Sequence, residues 1–432
     1  MKQKIIAIGQ GGGPTSVIND EVAGALYEAK LAGARVYALM NGLEGLLYAD
    51  VPGNIIDITD WEPAHVREAP GAILGTTRIK LKKGDDKDEK DNAKITKIRE
   101  NIERLGIDNL AYFGGNDSAD ILQALGIGVH GSKTIDNDLG NNGLVHHTPG
   151  FASAAWFNSI AVKNLAIDIG SYRVRGRNDK GEECWLVAPV TIYQAMGRDT
   201  GWLALATGLA RVDRYGKVDP TKAPDIIWPR EVPFDQERYL STLSDILQRQ
   251  GRAVIVIGEE LVNTDGIPLA EVYGRDQTDE HGHAQHGRAD SFNYANHLGE
   301  LAKKRLKVNG VKKVKETPIA PQHIQRSYVK SIVDSEEAFE VGRETVRAIL
   351  DGNRQVSVVL QKVPGSTYYH MVTARVPLEQ IAGKTRYVPP EFIDGIRGPT
   401  EAFIREFLPT IGGAKALPHY ERLDFSKAVL IN

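Results

Sequence analysis

The chain has 432 residues, of which 41% are hydrophobic and 25% charged, with a formal net charge of -3; that is too long for one ordinary core, and two lobes are expected. The charge offers no basic field to nucleic acid, and no run of about 18 apolar residues is present to span a membrane. Cys184 is the only cysteine, which excludes an intrachain disulfide and fits a reducing, cytoplasmic setting.

Lys2 and Lys4 precede a short apolar stretch, Ile5-Ile6-Ala7-Ile8, too brief for a signal sequence. Residues 4–8 read as a first strand that enters Gly9-Gln10-Gly11-Gly12-Gly13-Pro14-Thr15. From Ser16 onward Val22, Ala25, Leu26 and Ala29 recur at helical spacing, and Gly33 is placed to end that helix. Strands follow at 34–40 and 109–113, the second delivering Gly114-Gly115-Asn116-Asp117-Ser118 to a helix at 118–125. The second half repeats the alternation, with strands at 184–190, 252–258 and 356–360 and helices at 200–209 and 235–249. Alternating short strands and helices predict an α/β protein with largely parallel sheets. Polar stretches at 82–91 and 276–290 read as surface insertions; His281, His283 and His286 in the second read as a solvated loop. The proline-dotted segment from Pro377 reads as a tail wrapped on the lobes.

Four segments carry candidate chemistry. Glycines between a strand and a helix let backbone approach an anion at the positive helix end, although such clusters are as often only tight turns. The dinucleotide pattern is broken by Thr15 and Ser16, and Gly383-Lys384-Thr385 lacks the first glycine of a Walker loop, Leu378 standing there. Gly114 to Ser118 has the same arrangement at a strand's carboxyl end, where ligands gather in parallel sheets, or else forms an Asx turn capping the next helix. Lys133-Thr134-Ile135-Asp136-Asn137-Asp138 packs a cation and two carboxylates into six residues. Phosphoryl transfer needs such groups as base, metal ligand and charge stabiliser, and in extended backbone the two aspartates would face one side. Met196-Gly197-Arg198 offers a close backbone approach and a guanidinium that can fork onto phosphate.

Taken in order, these segments resemble the ATP- and pyrophosphate-dependent phosphofructokinase family, most closely its pyrophosphate-using branch. Gly11-Gly12-Gly13-Pro14-Thr15-Ser16-Val17-Ile18-Asn19 resembles the opening loop and Leu74-Gly75-Thr76-Thr77-Arg78 the segment with a phosphate-contacting arginine. Ile257-Gly258-Glu259-Glu260 and His323-Ile324-Gln325-Arg326 resemble the sugar-binding strand end and the sugar-phosphate grip; the matches run from about residue 5 to 330.

The resemblance implies two Rossmann-like lobes with the active site in the cleft between them. Residues 1–150 would bind the phosphoryl donor and 151–350 the sugar, while 351–432 would add a late strand and the wrapping segment. It implies Mg2+-dependent transfer from pyrophosphate to fructose 6-phosphate by a homodimer or homotetramer. Asp136 would be the general base, with Arg198 and Lys133 in catalysis. Gly12, Gly13, Arg78, Asn116, Asp117 and Ser118 would hold the donor, and Thr134, Asp138, Met196, Gly197, Glu259, His323 and Arg326 the substrate, with Asn116 and Asp138 near the metal. ATP users of the family carry glycine where this chain has Asp117; a carboxylate there fills the room of a nucleotide's α-phosphate and repels it in a poorly solvated cleft, and Lys133 matches the lysine of pyrophosphate users. Pro189 and Thr317 stand where bacterial ATP-dependent members bring arginines onto the 6-phosphate, with Lys312, Lys313 and Lys315 near by. A different sugar or polyol, an ATP-dependent kinase and a non-catalytic sugar-phosphate sensor therefore remain alternatives.

Overall fold

The computed structural model describes residues 3–79, 81, 89–273, 293–306, 310–326, 329–366 and 368–420. The stretch 276–290, with His281, His283 and His286, lies outside the described residues, as does most of 82–91. Among the described residues no helix is long and apolar enough to cross a membrane.

The first part of the chain runs β1 (Ile5–Gln10), α1 (Ile18–Leu31), β2 (Arg35–Leu39), α2 (Gly42–Leu47), β3 (Ile55–Asp57), α3 (Pro63–Glu68), α4 (Glu89–Arg104), β4 (Asn109–Gly114), α5 (Asn116–Leu125) and β5 (Val129–Ser132). It continues through α6 (Phe151–Gly170), β6 (Val174–Arg177), β7 (Glu183–Gln194), α7 (Trp202–Ala206), β8 (Ile226–Trp228), α8 (Gln236–Gln250), β9 (Ala253–Ile257), α9 (Leu269–Tyr273), α10 (Tyr294–Arg305) and β10 (Val314–Ile319). It ends with α11 (Ile332–Leu350), β11 (Val356–Lys362), β12 (Met371–Pro377) and α12 (Glu401–Phe407).

Two sheets result, as expected. The first has the order β12-β11-β5-β4-β1-β2-β3, parallel from β11 to β2 and antiparallel only at its edges. The second runs β10-β7-β9-β8, all parallel, with β6 antiparallel to β7. Helices cover both faces, so central strands such as the Ala-Val-Ile-Val-Ile of β9 are buried throughout. Local signals set the helix ends: Asp235 caps α8 by accepting from the Arg238 N–H (2.9 Å), and Gly251 stops it at φ 68°.

Three expectations change. The helix expected at 118–125 begins at Asn116, and that expected at 200–209 is one α-helical stretch, α7, tightening into a 3-10 turn at Thr207–Arg211. The sheets also divide the chain differently from the expected limits at 150 and 350. From α11 onward the chain has returned to the first sheet, where β11 lies against β5. Helix α11 packs on α1 through two glycines: a Cβ on Gly24 would lie 2.0 Å from the Phe339 carbonyl oxygen, and one on Gly342 2.0 Å from that of Glu21. Only glycine permits helix backbones to come so close.

Candidate active site

In the first sheet β1 lies between β2 and β4, so its connections leave in opposite directions and open a crevice at the carboxyl ends of β1 and β4. That is where ligands bind in such sheets. The glycine loop is stitched into place: the Gly11 N–H donates to Phe113 O (2.8 Å) and the Gly12 N–H to Thr77 O (3.0 Å), with Gly12 at φ 74°. Those two N–H groups are therefore spent within the fold, contrary to the expectation that they face an anion. Their neighbouring carbonyls face a cation instead. Lys133, just past β5, donates its ammonium to Gly11 O (2.9 Å) and Gly13 O (2.7 Å), leaving one of three N–H bonds for a ligand. Burial pushes this ammonium down to about 8, opposed by the nearby Glu21 and Asp136 carboxyls.

Helix α5 starts directly after β4, with Gly115 as its uncapped N-terminal residue. The Asx cap is absent, and the first turn, carrying Asn116, Asp117 and Ser118, presents its positive end to the crevice. Ser118 Oγ fills the space that side chains at Gly11 and Gly114 would need, which is why both are glycine. Asp117 is exposed at the rim, not in a poorly solvated cleft. Water screens its charge there, so its obstruction of a larger donor is chiefly steric.

Asp136 and Asp138 reach the same cavity, though not through extended backbone. Asn137 adopts φ 57° and turns the chain between them. The Asp136 N–H donates to Thr134 Oγ1 (3.1 Å), and Asp136 O accepts from Thr200 Oγ1 (3.2 Å). Asp136 Oδ1 is buried and has no hydrogen-bond partner among the described residues. Burial raises both carboxyls above the usual range; Arg326 and Arg198 act against this at Asp136, whereas Asp136 itself raises Asp138 further.

The cavity measures about 330 Å3. It gathers residues from both lobes: Gly12, Gly13, Arg78, Asn116, Asp117, Ser118, Lys133, Thr134, Asp136, Asp138, Arg198 and Arg326 all line it. Arg326 comes so close to Gly13 that a Cβ there would lie 2.6 Å from its Cζ, so this arginine faces the glycine loop as well as Asp136. Met196, Gly197, Glu259 and His323 do not line the cavity. Glu259 Oε2 accepts the Gly197 N–H (2.8 Å) and Gln325 Oε1 the Met196 N–H (2.9 Å), so these residues fix the turn that presents Arg198, while His323 is exposed. None of Lys312, Lys313 or Lys315 lines it; Lys312 pairs with Asp179 (2.9 Å) and Lys315 lies over the Tyr172 ring. Pro14, Thr15 and Asp199, not singled out by the motif reading, also line it. Thr15 was visible only as part of a glycine loop.

Hard oxygen donors for a divalent cation converge here. Asn116 Oδ1 is buried with no hydrogen-bond partner among the described residues, and Asn116 Nδ2 donates to Asp138 Oδ2 (3.3 Å). Among the described residues no group of three His, Cys, Asp or Glu could hold a metal alone. The set fits Mg2+, which binds through one or two protein oxygens and completes its shell with phosphate oxygens and water.

Two α/β lobes enclosing four aspartates and four cations, Arg78, Lys133, Arg198 and Arg326, define a phosphotransferase-type site. The sequence model of the phosphofructokinase family, "Phosphofructokinase", matches residues 5–349, and the chain belongs to this family. It is 33% identical over 427 residues to the pyrophosphate–fructose 6-phosphate 1-phosphotransferase of Xanthomonas campestris, covering 95% of this chain and 92% of that one. To the enzyme of the same name from Rhodospirillum rubrum it is 30% identical, covering 90% and 89%. The solved pyrophosphate-dependent phosphofructokinase of Marinobacter aquaeolei shares the fold, with a TM-score of 0.74 at 22% identity over 97% of this chain and 94% of that one.

Proposed function

We propose that this protein transfers a phosphoryl group from pyrophosphate to the free primary hydroxyl of fructose 6-phosphate, giving fructose 1,6-bisphosphate and phosphate. The observation that carries the reading is the buried Asp136 Oδ1, without a hydrogen-bond partner among the described residues, in a cavity lined by Arg78, Lys133, Arg198 and Arg326. A carboxylate oxygen without a donor in such a place suits a base awaiting a hydroxyl proton. Asp136 takes that proton as the sugar oxygen attacks the terminal phosphorus in line. Arg198 and Arg326 spread the charge on the transferring oxygens, while Lys133 and the first turn of α5 hold the donor. Asn116 and Asp138 would hold Mg2+, which when bound would neutralise phosphate charge. The names of the relatives and Asp117 at the rim support pyrophosphate over ATP. Work in the cytoplasm, as a homodimer or homotetramer, belongs to the same reading.

A second reading keeps the donor and changes the acceptor to another sugar or polyol. It is favoured by Pro189 and Thr317, which carry no positive charge and pair within β7 and β10 beside Lys315 and Thr191. A pyrophosphate-driven panel of fructose 6-phosphate, sedoheptulose 7-phosphate and unphosphorylated sugars and polyols, read by phosphorus NMR of the product, decides between them. Formation of fructose 1,6-bisphosphate at the highest kcat/KM is expected; a higher value for any other acceptor moves the assignment to it, and no product from any acceptor refutes both.

A further inference from the structure

Arg386 belongs to the C-terminal segment, far in sequence from the motifs of the cavity, yet it meets the catalytic loop from behind. Its backbone N–H donates to Asp138 O (2.8 Å), beside a backbone bridge between Thr385 and Leu139. Its guanidinium donates from Nη2 to Asn137 O (2.8 Å) and from Nη1 to His146 O (3.0 Å), clasping both ends of the loop. Asn137 is the residue whose left-handed backbone turns Asp136 and Asp138 toward the cavity, a conformation that persists only where neighbours hold it. The guanidinium also lies over the Trp202 indole, 4.3 Å from its centroid, and Trp202 Nε1 donates to Arg386 O (2.9 Å). Trp202 opens α7, four residues after Arg198. One side chain is thus bonded to the segment of the base and packed on the segment of the charge-stabilising arginine.

The energetics argue against a merely structural part. Arg386 is 3% exposed, and the Asp138 carboxyl is the acidic group whose charge favours its buried guanidinium, against the cost of burial. A buried cation is costly even with a carboxylate near by, and well-packed apolar groups usually serve stability as well or better. What a planar fork does, and an apolar group cannot, is fix two carbonyls in one plane at a set separation.

We propose that Arg386 is a positioning residue of the phosphoryl-transfer reaction, holding Asp136 and Arg198 in register through Asn137 and Trp202. The inference rests on Asp136 being the base, as assigned above. Arg386 also lines a second cavity, about 490 Å3, together with Trp202, Phe392, Phe407 and Lys362. Removing its side chain therefore opens a space that a small solute can reach.

The test compares the full-length Arg386→Ala and Arg386→Lys chains with the unsubstituted protein. A displaced base loses rate while the donor cradle stays intact, so kcat of Arg386→Ala falls by about 100-fold. Its calorimetric affinity for pyrophosphate, set by Lys133, Arg78 and α5, changes by less than about threefold. Arg386→Lys, whose ammonium cannot span both carbonyls, loses about tenfold in kcat, and it carries the test if the alanine chain does not fold. Millimolar guanidinium, but not methylammonium, restores Arg386→Ala by about tenfold or more through the second cavity. Unchanged kcat in both variants, or kcat and pyrophosphate affinity falling together without guanidinium rescue, overturns the proposal. Inactivity of the unsubstituted chain with pyrophosphate refutes the donor instead, and the same comparison is then made with the donor it turns over.

Discussion

Raising the pH through 8 should discharge Lys133 while leaving every arginine of the cavity charged, because a guanidinium keeps its proton in any protein. A solvated lysine titrates near 10.4, whereas burial beneath the glycine loop brings this ammonium down to about 8. The difference corresponds to roughly 3 kcal/mol against the charged form, despite the carbonyls of Gly11 and Gly13 at 2.9 and 2.7 Å. Below this value the cation is present for the donor, and above it a neutral amine faces a polyanion. The kcat/KM for pyrophosphate, which reports the free enzyme, should therefore fall about tenfold per pH unit above 8. Lys133→Arg keeps its charge, so that limb should vanish while the plateau drops for want of the right geometry. Donor ionisation is the same for both proteins and cancels in the ratio of their profiles. Profiles of identical shape, or an alkaline limb no lower than that of a solvated lysine, would refute the reasoning.

Asp136→Asn should lower kcat by about 10²- to 10⁴-fold, and the acid limb, which burial moves above the usual carboxylate range, should disappear with it; near-normal turnover would remove Asp136 from the role. Asp117→Gly clears the rim of the donor site, and kcat/KM with ATP should rise by about tenfold or more, whereas an unaltered ATP rate contradicts the steric account. Gly342→Ala forces a methyl to within 2.0 Å of the Glu21 carbonyl oxygen. The clash, about 1–3 kcal/mol, outweighs the roughly 1 kcal/mol that alanine gains in a helix, so thermal denaturation should begin at lower temperature; an unchanged midpoint would contradict the close packing of α1 on α11.

Much of this arrangement was legible from residue order, and the rest has identifiable physical causes. Glycines after β1 and β4 mark close approach, and the three polar residues at 116–118 do reach the cavity. Their placement inside α5 was missed because the helix is stopped by no side-chain cap, only by Gly115 in extended backbone. Asp136 and Asp138 were paired for the wrong reason: alternation in a strand suggested a shared face, but a left-handed Asn137 produces it. The commitment of the Gly11 and Gly12 N–H groups depends on Phe113 and Thr77, about a hundred and about sixty-five residues away, and no local pattern encodes such a bond. Long-range pairing likewise hid the return of α11 and β11 to the first sheet, since loop closure leaves no periodicity to read. Arg386 was invisible for the same reason: its partners Asn137 and His146 lie some 240 residues upstream.

The donor remains the centre of the account, and steady-state kinetics with fructose 6-phosphate, Mg2+ and either pyrophosphate or ATP measure it most directly. A donor site with Asp117 at its rim and Lys133 within it should give a kcat/KM for pyrophosphate at least about 100-fold above that for ATP. Equal values, or a preference for ATP, would contradict it.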